Sequence, residues 1–240
     1  MKSHNLRVWS LNCRNSDKVQ KYVLDIANGH NVDILLLQDI CNNTGRVIET
    51  CNGPPNPSNA SGAQARKDTK NNKLKPQMNL GAFCLPMNPG SSDRVAIYVR
   101  RDLAVSAYQV HPLDHWRSTL SIVTRFDTVH IHCIYNVHGT QIPIETLRNM
   151  MSGPGQHLMV GDFNLHHTWW GGRRARKKQN PQSRALADAF RDELELRLLT
   201  ETCARTYEMA AHDKNRWSSI DMAFATKGTL ILSQTDSTSY

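Results

Sequence analysis

The 240-residue chain carries 29 Lys and Arg residues against 21 Asp and Glu, a net charge of +8 at neutral pH. This length buries a sizeable core in a single domain, and the positive balance favours a polyanionic partner. Six scattered cysteines without a Cys-x-x-Cys pair argue against a zinc knuckle or a thioredoxin-like site. No apolar run reaches the ~20 residues of a membrane span, and the first residues lack a signal-peptide core. We therefore expect an intracellular protein without membrane contact.

The first elements in chain order are strand, helix and strand. Residues 6–11 are typical of a strand, and Ser16 then predicts the start of a helix that ends near Gly29 and has an apolar stripe of Val19, Tyr22, Val23 and Ile26. The continuous apolar run 32–37 predicts a strand covered on both faces, which presents Asp39 just beyond its end.

Residues 42–92 are rich in Gly, Pro, Asn, Ser and Lys, which predicts an irregular surface insertion within the domain. Three strands, predicted to be antiparallel neighbours, follow at residues 94–99, 119–125 and 129–135. The remaining pattern predicts a helix, a strand, a helix and a strand at residues 144–151, 157–161, 183–199 and 220–225. Strands in sheets with helices outside indicate an α/β sandwich of two sheets packed face to face.

The sharpest chemical signal is an apolar strand that ends at Gly161 and then presents Asp162 and Asn164. With the period of two in a strand, these two side chains project to the same side. A carboxylate can orient a water molecule as nucleophile while an amide steadies a phosphate, which suits phosphodiester hydrolysis. A polar turn at the end of a strand is the structural alternative.

The segment 161–172 resembles the Gly-Asp-Phe-Asn motif of the endonuclease/exonuclease/phosphatase superfamily, and in particular its version in endonucleases of fungal and insect non-LTR retrotransposons. Four further segments resemble family motifs and occur in the family's order: Trp9-Ser10-Leu11-Asn12, Leu36-Leu37-Gln38-Asp39, Ile134-Tyr135-Asn136 and Ser218-Ser219-Ile220-Asp221. Residues 94–100 resemble the Arg-Val-Ala-x-Tyr-Val strand of these retroelement nucleases. The resemblance implies a four-layered αββα sandwich of the DNase I-like type.

The resemblance also implies roles for single residues. Asn12 and Asp39 match the family's metal-binding asparagine and glutamate, and Mg²⁺ or Mn²⁺ prefers such oxygen ligands. Asp39 is one methylene shorter than glutamate, which withdraws its carboxylate by ~1.5 Å unless the backbone follows. This shortening predicts weak metal affinity or a preference for Mn²⁺.

Three further residues match family positions near the phosphate. Tyr135 would donate a hydrogen bond to a phosphate oxygen, with a half-buried core tyrosine as the alternative. Asp221 would help to shape the metal and phosphate site. Ser218 is a candidate phosphate contact, and a plain loop role is the alternative.

A basic run follows the catalytic motif and predicts a nucleic-acid interface formed by Arg173, Arg174, Arg176, Lys177 and Lys178. Trp169 would stack on a base or wedge a groove. An ordinary solvated surface is the alternative. His166 and His167 are predicted at the rim of the site and not as zinc ligands, because adjacent side chains on a strand diverge.

The pair His130-x-His132 has the spacing of two ligands on one strand face, but no third ligand at suggestive spacing accompanies it, so a structural role is predicted. The family closes its site with a Ser-Asp-His motif, and no histidine follows Asp221 here. We therefore expect this chain to lack that catalytic group and the last core strand, as a fragment or a decayed copy would.

The leading hypothesis is a Mg²⁺- or Mn²⁺-dependent endonuclease of the retrotransposon type that nicks DNA in the nucleus, with RNA as the alternative substrate. A second hypothesis is a catalytically inactive relic that still binds nucleic acid. A third is a superfamily phosphatase acting on inositol phosphates or lipids, because fold does not settle substrate.

Overall fold

The computed structural model describes residues 6–41, 83–84, 92–103, 107–123, 127–137, 141–208 and 217–227. The strands in these ranges are β1 (Val8–Asn12), β2 (Ile34–Gln38), β3 (Phe83–Cys84), β4 (Val95–Arg100), β5 (Ala107–Asp114), β6 (Arg117–Val123), β7 (Thr128–Tyr135), β8 (Gln156–Asp162), β9 (Arg197–Leu198), β10 (Tyr207–Glu208), β11 (Trp217–Ser218) and β12 (Asp221–Ala225). The α-helices are α1 (Asp17–Gly29), α2 (Ile144–Met151), α3 (Thr168–Ala175) and α4 (Pro181–Asp188).

The strands form two main sheets. The smaller has the order β1-β2-β4-β3, the larger has the order β5-β6-β7-β8-β12-β9, and β10 pairs with β11 separately. Strands β1 and β2 are parallel, as are β7 and β8, and the other pairs are antiparallel. Each parallel pair is joined through a helix, α1 or α2, because a parallel connection must return along the sheet.

Alternation along β2 shows how the layers stack. Ile34 and Leu36 pack between the two sheets, whereas Leu35 and Leu37 pack in the cluster that contains the buried residues of α1. The outer face of the larger sheet is covered by a third cluster, which includes residues of α2, α3 and α4. The result is the predicted αββα sandwich, and the run of apolar residues in β2 is buried on both faces as expected.

Helix α1 has the predicted cap, with the backbone N–H of Val19 donating to Ser16 Oγ at 3.3 Å. The predicted apolar stripe was right for Val23, which is buried, but wrong for Val19 and Tyr22, which are exposed. The buried face is formed by Gln20, Val23, Leu24 and Ala27. Gln20 tolerates burial because its side-chain amide donates to Tyr98 Oη at 2.9 Å.

Two other sequence predictions differ from the fold. The helix predicted over residues 183–199 ends earlier, since α4 passes into a π-helical turn at Ala189–Glu193 and the chain then pairs with β12 as β9. Strand β4 lies in the smaller sheet, so it is not the neighbour of β6 that was predicted. That position is taken by β5, which the sequence pattern did not indicate.

Most of the predicted insertion, residues 42–82 and 85–91, lies outside the described residues. Residues 83–84, which lie between these two ranges, form β3 and pair with β4. Phe83 is fully buried, so this part of the predicted insertion belongs to the core. The sequence also predicted that the last core strand is missing. The residues that bear on this prediction, 228–240, lie outside the described residues as well. Among the described helices, none is long and apolar enough to cross a membrane.

Candidate active site

The candidate active site lies where strands of both sheets end. Tyr135 and Asp221 are the register partners of Asp162 on its two neighbouring strands. Asn12 is the last residue of β1, and Asp39 directly follows β2. The fold therefore brings together five side chains that the sequence predicted from separate motifs, because adjacent strand ends align along the sheet edge.

Asp162 is buried and its carboxylate is held at both oxygens. Its Oδ2 accepts a hydrogen bond from Asn12 Nδ2 at 2.6 Å, and its Oδ1 accepts one from the backbone N–H of Asn164 at 2.8 Å. The preceding Gly161 is required by packing, since a Cβ at this position would collide with the backbone carbonyl of Ile134. Asp162 thus has a single fixed orientation.

Asn164 is placed by its neighbours. Its backbone is in the left-handed region, with φ of 50°, which asparagine tolerates better than most residues. Its Nδ2 donates to the backbone carbonyl of Asn136 at 2.6 Å, while Asn136 Nδ2 donates to the carbonyl of Phe163 at 2.8 Å. Asn136 was not predicted as a site residue, although its place directly after Tyr135 in the family motif was an available signal.

Tyr135 is half-buried, and it and Asp39 are close enough to shift each other's pKa. Burial, followed by the charges of Asp39 and Asp162, raises the pKa of Tyr135 to about 12, so the phenol remains a donor at neutral pH. Burial also raises the pKa of Asp39, against the opposing effects of Arg94 and the Tyr135 hydrogen bond.

The backbone at Asp39 is left-handed, with φ of 46°. Aspartate adopts this conformation more readily than most residues because its short polar side chain can bond locally. Arg94, which the sequence analysis gave no role, approaches Asp39 Oδ1 at 3.5 Å. The short side chain of Asp39 therefore occurs together with a left-handed backbone conformation and with the neighbouring guanidinium of Arg94.

The surroundings of Asp221 disfavour the charged form of its carboxyl group. Burial and the charge of Asp162 raise its pKa to about 8, although Thr206 and Arg14 favour the charged form. Its Oδ1 is shielded from solvent and has no hydrogen-bond partner among the described residues. Such an orphaned acceptor indicates a missing proton, cation or donor.

The donor set fits a hard divalent cation by chemistry. Asp39 and Asn12 offer oxygen ligands at adjacent strand ends, and two further carboxylates, Asp162 and Asp221, add negative charge nearby. Within the described ranges, no three His, Cys, Asp or Glu residues converge tightly enough to hold a metal ion by themselves. Metal binding would therefore depend on the amide oxygen of Asn12 and on water ligands, as Mg²⁺ commonly does.

The sequence profile of the Endonuclease/Exonuclease/phosphatase family matches residues 9–238. The chain belongs to this family. No curated protein sequence matches it.

Solved structures show the same family fold. The endonuclease domain of TRAS1, a telomere-specific non-LTR retrotransposon, is 20% identical over 93% of this chain and 86% of that one, with a TM-score of 0.59. The mannosyl-6-phosphatase of Bacteroides thetaiotaomicron is 14% identical over 93% and 86%, with a TM-score of 0.50. An AP endonuclease of Leishmania major is 10% identical over 92% and 78%, with a TM-score of 0.50. The family resemblance is confirmed, and the solved structures are alike at the level of fold.

Around this family site, the basic run occupies the end of α3 and the 3₁₀ turn that follows it. We call Arg173, Arg174, Arg176, Lys177 and Lys178 the basic segment, and all five are exposed. No acidic residue lies within the segment, which follows the catalytic motif in the sequence. The prediction that it contacts nucleic acid stays a prediction.

Two predicted interface or rim residues also make packing contacts, and their predicted roles at the site stay predictions. The indole of Trp169 lies against Phe224 at 5.6 Å between ring centroids in the outer core, which limits its use for stacking on a base. His167 is buried and caps α3, with its Nδ1 accepting from the backbone N–H of Trp169 at 3.1 Å. His166 is half-buried next to it, and Ser218 is half-buried in β11.

A third histidine joins the pair that the sequence singled out. His157 is the register partner of His130, and the imidazoles of His130, His132 and His157 stack on the larger sheet. His157 Nε2 donates to the Gly153 carbonyl at 3.0 Å, so its Nδ1 accepts from His132 Nε2, also at 3.0 Å. The remaining nitrogen, His132 Nδ1, then accepts from Thr119 Oγ1 at 2.8 Å. This chain of bonds uses neutral rings and leaves none of these nitrogens for a metal.

Proposed function

We propose that the chain is a divalent-metal-dependent endonuclease that hydrolyses phosphodiester bonds of DNA. The observation that carries this proposal is the buried carboxylate of Asp162, which is fixed by Asn12 and by the backbone of Asn164. A fixed carboxylate beside a phenol and two amides suits in-line attack of water on a phosphate. Membership of the Endonuclease/Exonuclease/phosphatase family supports this class of chemistry.

Each side chain has a distinct part in the proposed reaction. Asp162 orients the attacking water and accepts its proton. Tyr135, whose raised pKa keeps its phenol protonated, donates to a non-bridging phosphate oxygen, and Asn164 supports the same group. A divalent cation held by Asp39 and Asn12 would neutralise the charge that develops on the phosphate. The bond from phosphorus to the leaving oxygen breaks as the water oxygen bonds to phosphorus, and the leaving oxygen takes a proton from solvent. The products are a phosphomonoester and a free hydroxyl.

The exposed basic segment supports nucleic acid as the substrate. Its five cations follow the catalytic motif directly, where they can contact phosphates on either side of the bond to be cut. The similar fold of the TRAS1 endonuclease domain and of the Leishmania major AP endonuclease supports the same assignment. DNA is therefore preferred to RNA, as in the retrotransposon-type reaction.

Two other functions have a specific observation in their favour. The ion pair between Arg94 and Asp39 places a cation beside the carboxylate that would bind metal, which favours a nucleic-acid-binding protein without turnover. The similar fold of the Bacteroides mannosyl-6-phosphatase favours a phosphatase. The basic segment argues for the endonuclease over the phosphatase, because a small phosphomonoester needs no extended cationic surface.

The test is nicking of supercoiled plasmid DNA in Mg²⁺ and in Mn²⁺ by the chain and by its Asp162→Asn variant, with DNA retention measured in the same samples. We expect metal-dependent nicking that the substitution abolishes while retention is unchanged. Retention without nicking in either metal would favour the binding protein. Release of phosphate from mannose 6-phosphate without nicking would favour the phosphatase.

A further inference from the structure

The two-residue turn between β5 and β6 lies at the edge of the candidate active site. His115 and Trp116 form this turn. The backbone N–H of Arg94 donates to the His115 carbonyl at 2.6 Å, and the backbone N–H of Tyr135 donates to the Trp116 carbonyl at 2.8 Å. The rings of Trp116 and Tyr135 also lie 5.8 Å apart between centroids. His115 is therefore bonded through its backbone to Arg94, which itself approaches Asp39.

Asp114 holds this turn in a fixed conformation. Its Oδ1 accepts a hydrogen bond from the backbone N–H of Trp116 at 2.9 Å, and its Oδ2 accepts one from Arg117 Nε at 2.8 Å. Aspartate commonly stabilises turns by bonding to the backbone two residues on. The backbone on both sides of His115 is thus fixed by the hairpin.

The imidazole of His115 is bonded through one nitrogen and accessible at the other. Its Nδ1 lies 2.9 Å from Asp93 Oδ1, and because an ionised carboxylate only accepts, Nδ1 carries the proton. Ser92 Oγ lies 2.9 Å from the same nitrogen and is a second acceptor for that proton. Among the described residues, the polar neighbour of Nε2 is Ser92 Oγ at 3.5 Å, which is long for a hydrogen bond. The side chain of His115 is 57% exposed, so a substrate can reach Nε2.

Strand order places His115 opposite the attacking water. In the larger sheet β7, which ends at Tyr135, lies between β6 and β8. Asp162 and its register partner Asp221 lie on the β8 side of Tyr135, whereas the turn with His115 lies on the β6 side. In-line displacement puts the leaving oxygen on the side of phosphorus away from the attacking water. For a phosphate bound to Tyr135, the leaving oxygen is therefore on the side of His115.

The five side chains of the candidate active site supply no proton on that side. Asp162 accepts the proton of the attacking water, and Asp221 lies next to it. The phenol of Tyr135 has a pKa of about 12, so it keeps its proton at neutral pH. Imidazole, in contrast, exchanges protons near neutral pH.

We propose that His115 is the general acid of the reaction and relays a solvent proton to the leaving oxygen, with Asp93 as its positioning residue. This inference rests on the proposed function. As the bond from phosphorus to the leaving oxygen breaks, its electron pair stays on that oxygen and takes the proton from Nε2. Nδ1–H stays bonded to Asp93, which fixes the tautomer and the orientation of the ring. The neutral ring then regains a proton at Nε2 from water.

The first test is independent of catalysis. Long-range ¹H–¹⁵N spectra in EDTA, recorded above about pH 8 where imidazole is neutral, report which ring nitrogen carries the proton. We expect the Nδ1–H tautomer for His115 in the native chain and a loss of this preference in D93A. An Nε2–H tautomer in the native chain would overturn the inference, because Nε2 must be free to take up a proton from water.

The second test uses duplex DNA in which sulfur replaces the leaving oxygen, since a thiolate leaves without a proton. In Mn²⁺, we expect H115Q to cut the normal duplex about 100-fold more slowly than the native chain, and the sulfur duplex no more than about threefold more slowly. D93A should show a smaller loss that sulfur also restores, and H115Q/D93A should be no slower than H115Q. H30Q, which removes an exposed histidine beyond α1, is the control and should cut both duplexes at the native rate.

The outcomes separate this inference from the proposed function. Native cutting by H115Q, or equal slowing of both duplexes by H115Q, would overturn the role of His115 while the endonuclease stands. If the native chain retains the duplex but cuts it in neither Mg²⁺ nor Mn²⁺, the endonuclease and the general acid are overturned together.

Discussion

The side-chain amide of Asn12 donates to Asp162 Oδ2 at 2.6 Å and so joins residues 150 positions apart in the chain. The contact also links the two sheets, because Asn12 ends β1 and Asp162 ends β8. This bond and the backbone N–H of Asn164 each hold one oxygen of the Asp162 carboxylate. The orientation of the proposed base therefore depends on the packing of one sheet against the other.

Removing this bond should slow cleavage more than it weakens binding. We expect N12A to lower the rate of plasmid nicking by about 100-fold, because small misplacements of a reacting group carry costs of this size. DNA retention should change little, since Asn12 is far in sequence from the basic segment and carries no charge. N149A, on the exposed face of α2, is the control. An unchanged nicking rate in N12A would show that the bond from Asn12 is not needed to orient Asp162.

The ion pair of Arg94 and Asp39 should compete with metal binding. Because Arg94 is partly exposed, solvent screens the pair, and R94Q is expected to raise the affinity for Mn²⁺ by only about threefold to tenfold. Isothermal titration with Mn²⁺ measures the effect, and R101Q, which removes the same charge, is the control. Weaker binding in R94Q would instead mean that Arg94 positions Asp39 for ligation.

The raised pKa of Asp221 makes a prediction about stability and pH. The folded state holds this proton up to a pKa of about 8, whereas the ordinary value is 3.8, so the native site is progressively destabilised as pH rises from about 4 to about 8. We expect D221N to raise the free energy of unfolding by about 1 to 3 kcal/mol at about pH 9, since one pKa unit corresponds to about 1.4 kcal/mol.

Thermal unfolding at several pH values checks this prediction. The gain of D221N should shrink as pH falls and vanish well below pH 3.8, where the carboxyl is protonated in both states. D25N, at an exposed position of α1, should show no such trend. If the gain in the free energy of unfolding of D221N is the same at every pH, it arises from packing and not from the removal of a charge.

The histidine stack predicts acid sensitivity of the opposite sign. Burial, and then the neighbouring His157 and His130, lower the pKa of His132 from 6.5 to about 3. Its contribution is therefore complete above pH about 6.5 and is lost as pH falls toward about 3, because the unfolded state takes up the proton first. We expect the melting temperature of H132L to be lower than that of the native chain at pH 7 but to fall less between pH 7 and pH 5.

The exposed His30 provides the control for this comparison, as H30Q should retain the native fall. If H132L and the native chain lose the same number of degrees, the acid sensitivity arises elsewhere.

The basic segment should determine the salt dependence of DNA binding. Each cation that no longer neutralises a phosphate of duplex DNA reduces the slope of log K against log salt by about 0.9. We expect K177Q/K178Q to reduce this slope by once or twice that amount. The slope is measured by fluorescence titration of DNA binding at several salt concentrations. K18Q/K21Q removes the same charge from α1 in the opposite outer layer and should leave the slope unchanged. Equal slopes for the two double variants would identify the segment as ordinary solvated surface.

The sequence alone was sufficient for the identity of the main chemical groups. The motifs around Asn12, Asp39, Tyr135, Asp162 and Asp221 are weak signals one by one, and they were recognised together because they resemble the family's motifs in the family's order. The family resemblance implied the αββα architecture, whereas the strands β2, β7, β8 and β12 followed from apolar runs of strand length.

Other features depend on contacts distant in sequence and only the tertiary structure decided them. The buried face of α1 depends on the sheet beneath it, which is why Gln20 is buried while Tyr22 is exposed. The third histidine of the stack lies 25 residues from His132 and becomes its neighbour only through the parallel pairing of β7 and β8.

The geometry of the candidate active site also depends on contacts between residues that are distant in sequence. Sequence determined that Asp162 and Asn12 are chemically suited to phosphodiester hydrolysis. It could not determine that one holds the other, nor that Arg94 approaches Asp39, nor that Asp93 pairs with His115. Side-chain chemistry is a property of single residues, whereas orientation, burial and pKa arise from the neighbours that folding supplies.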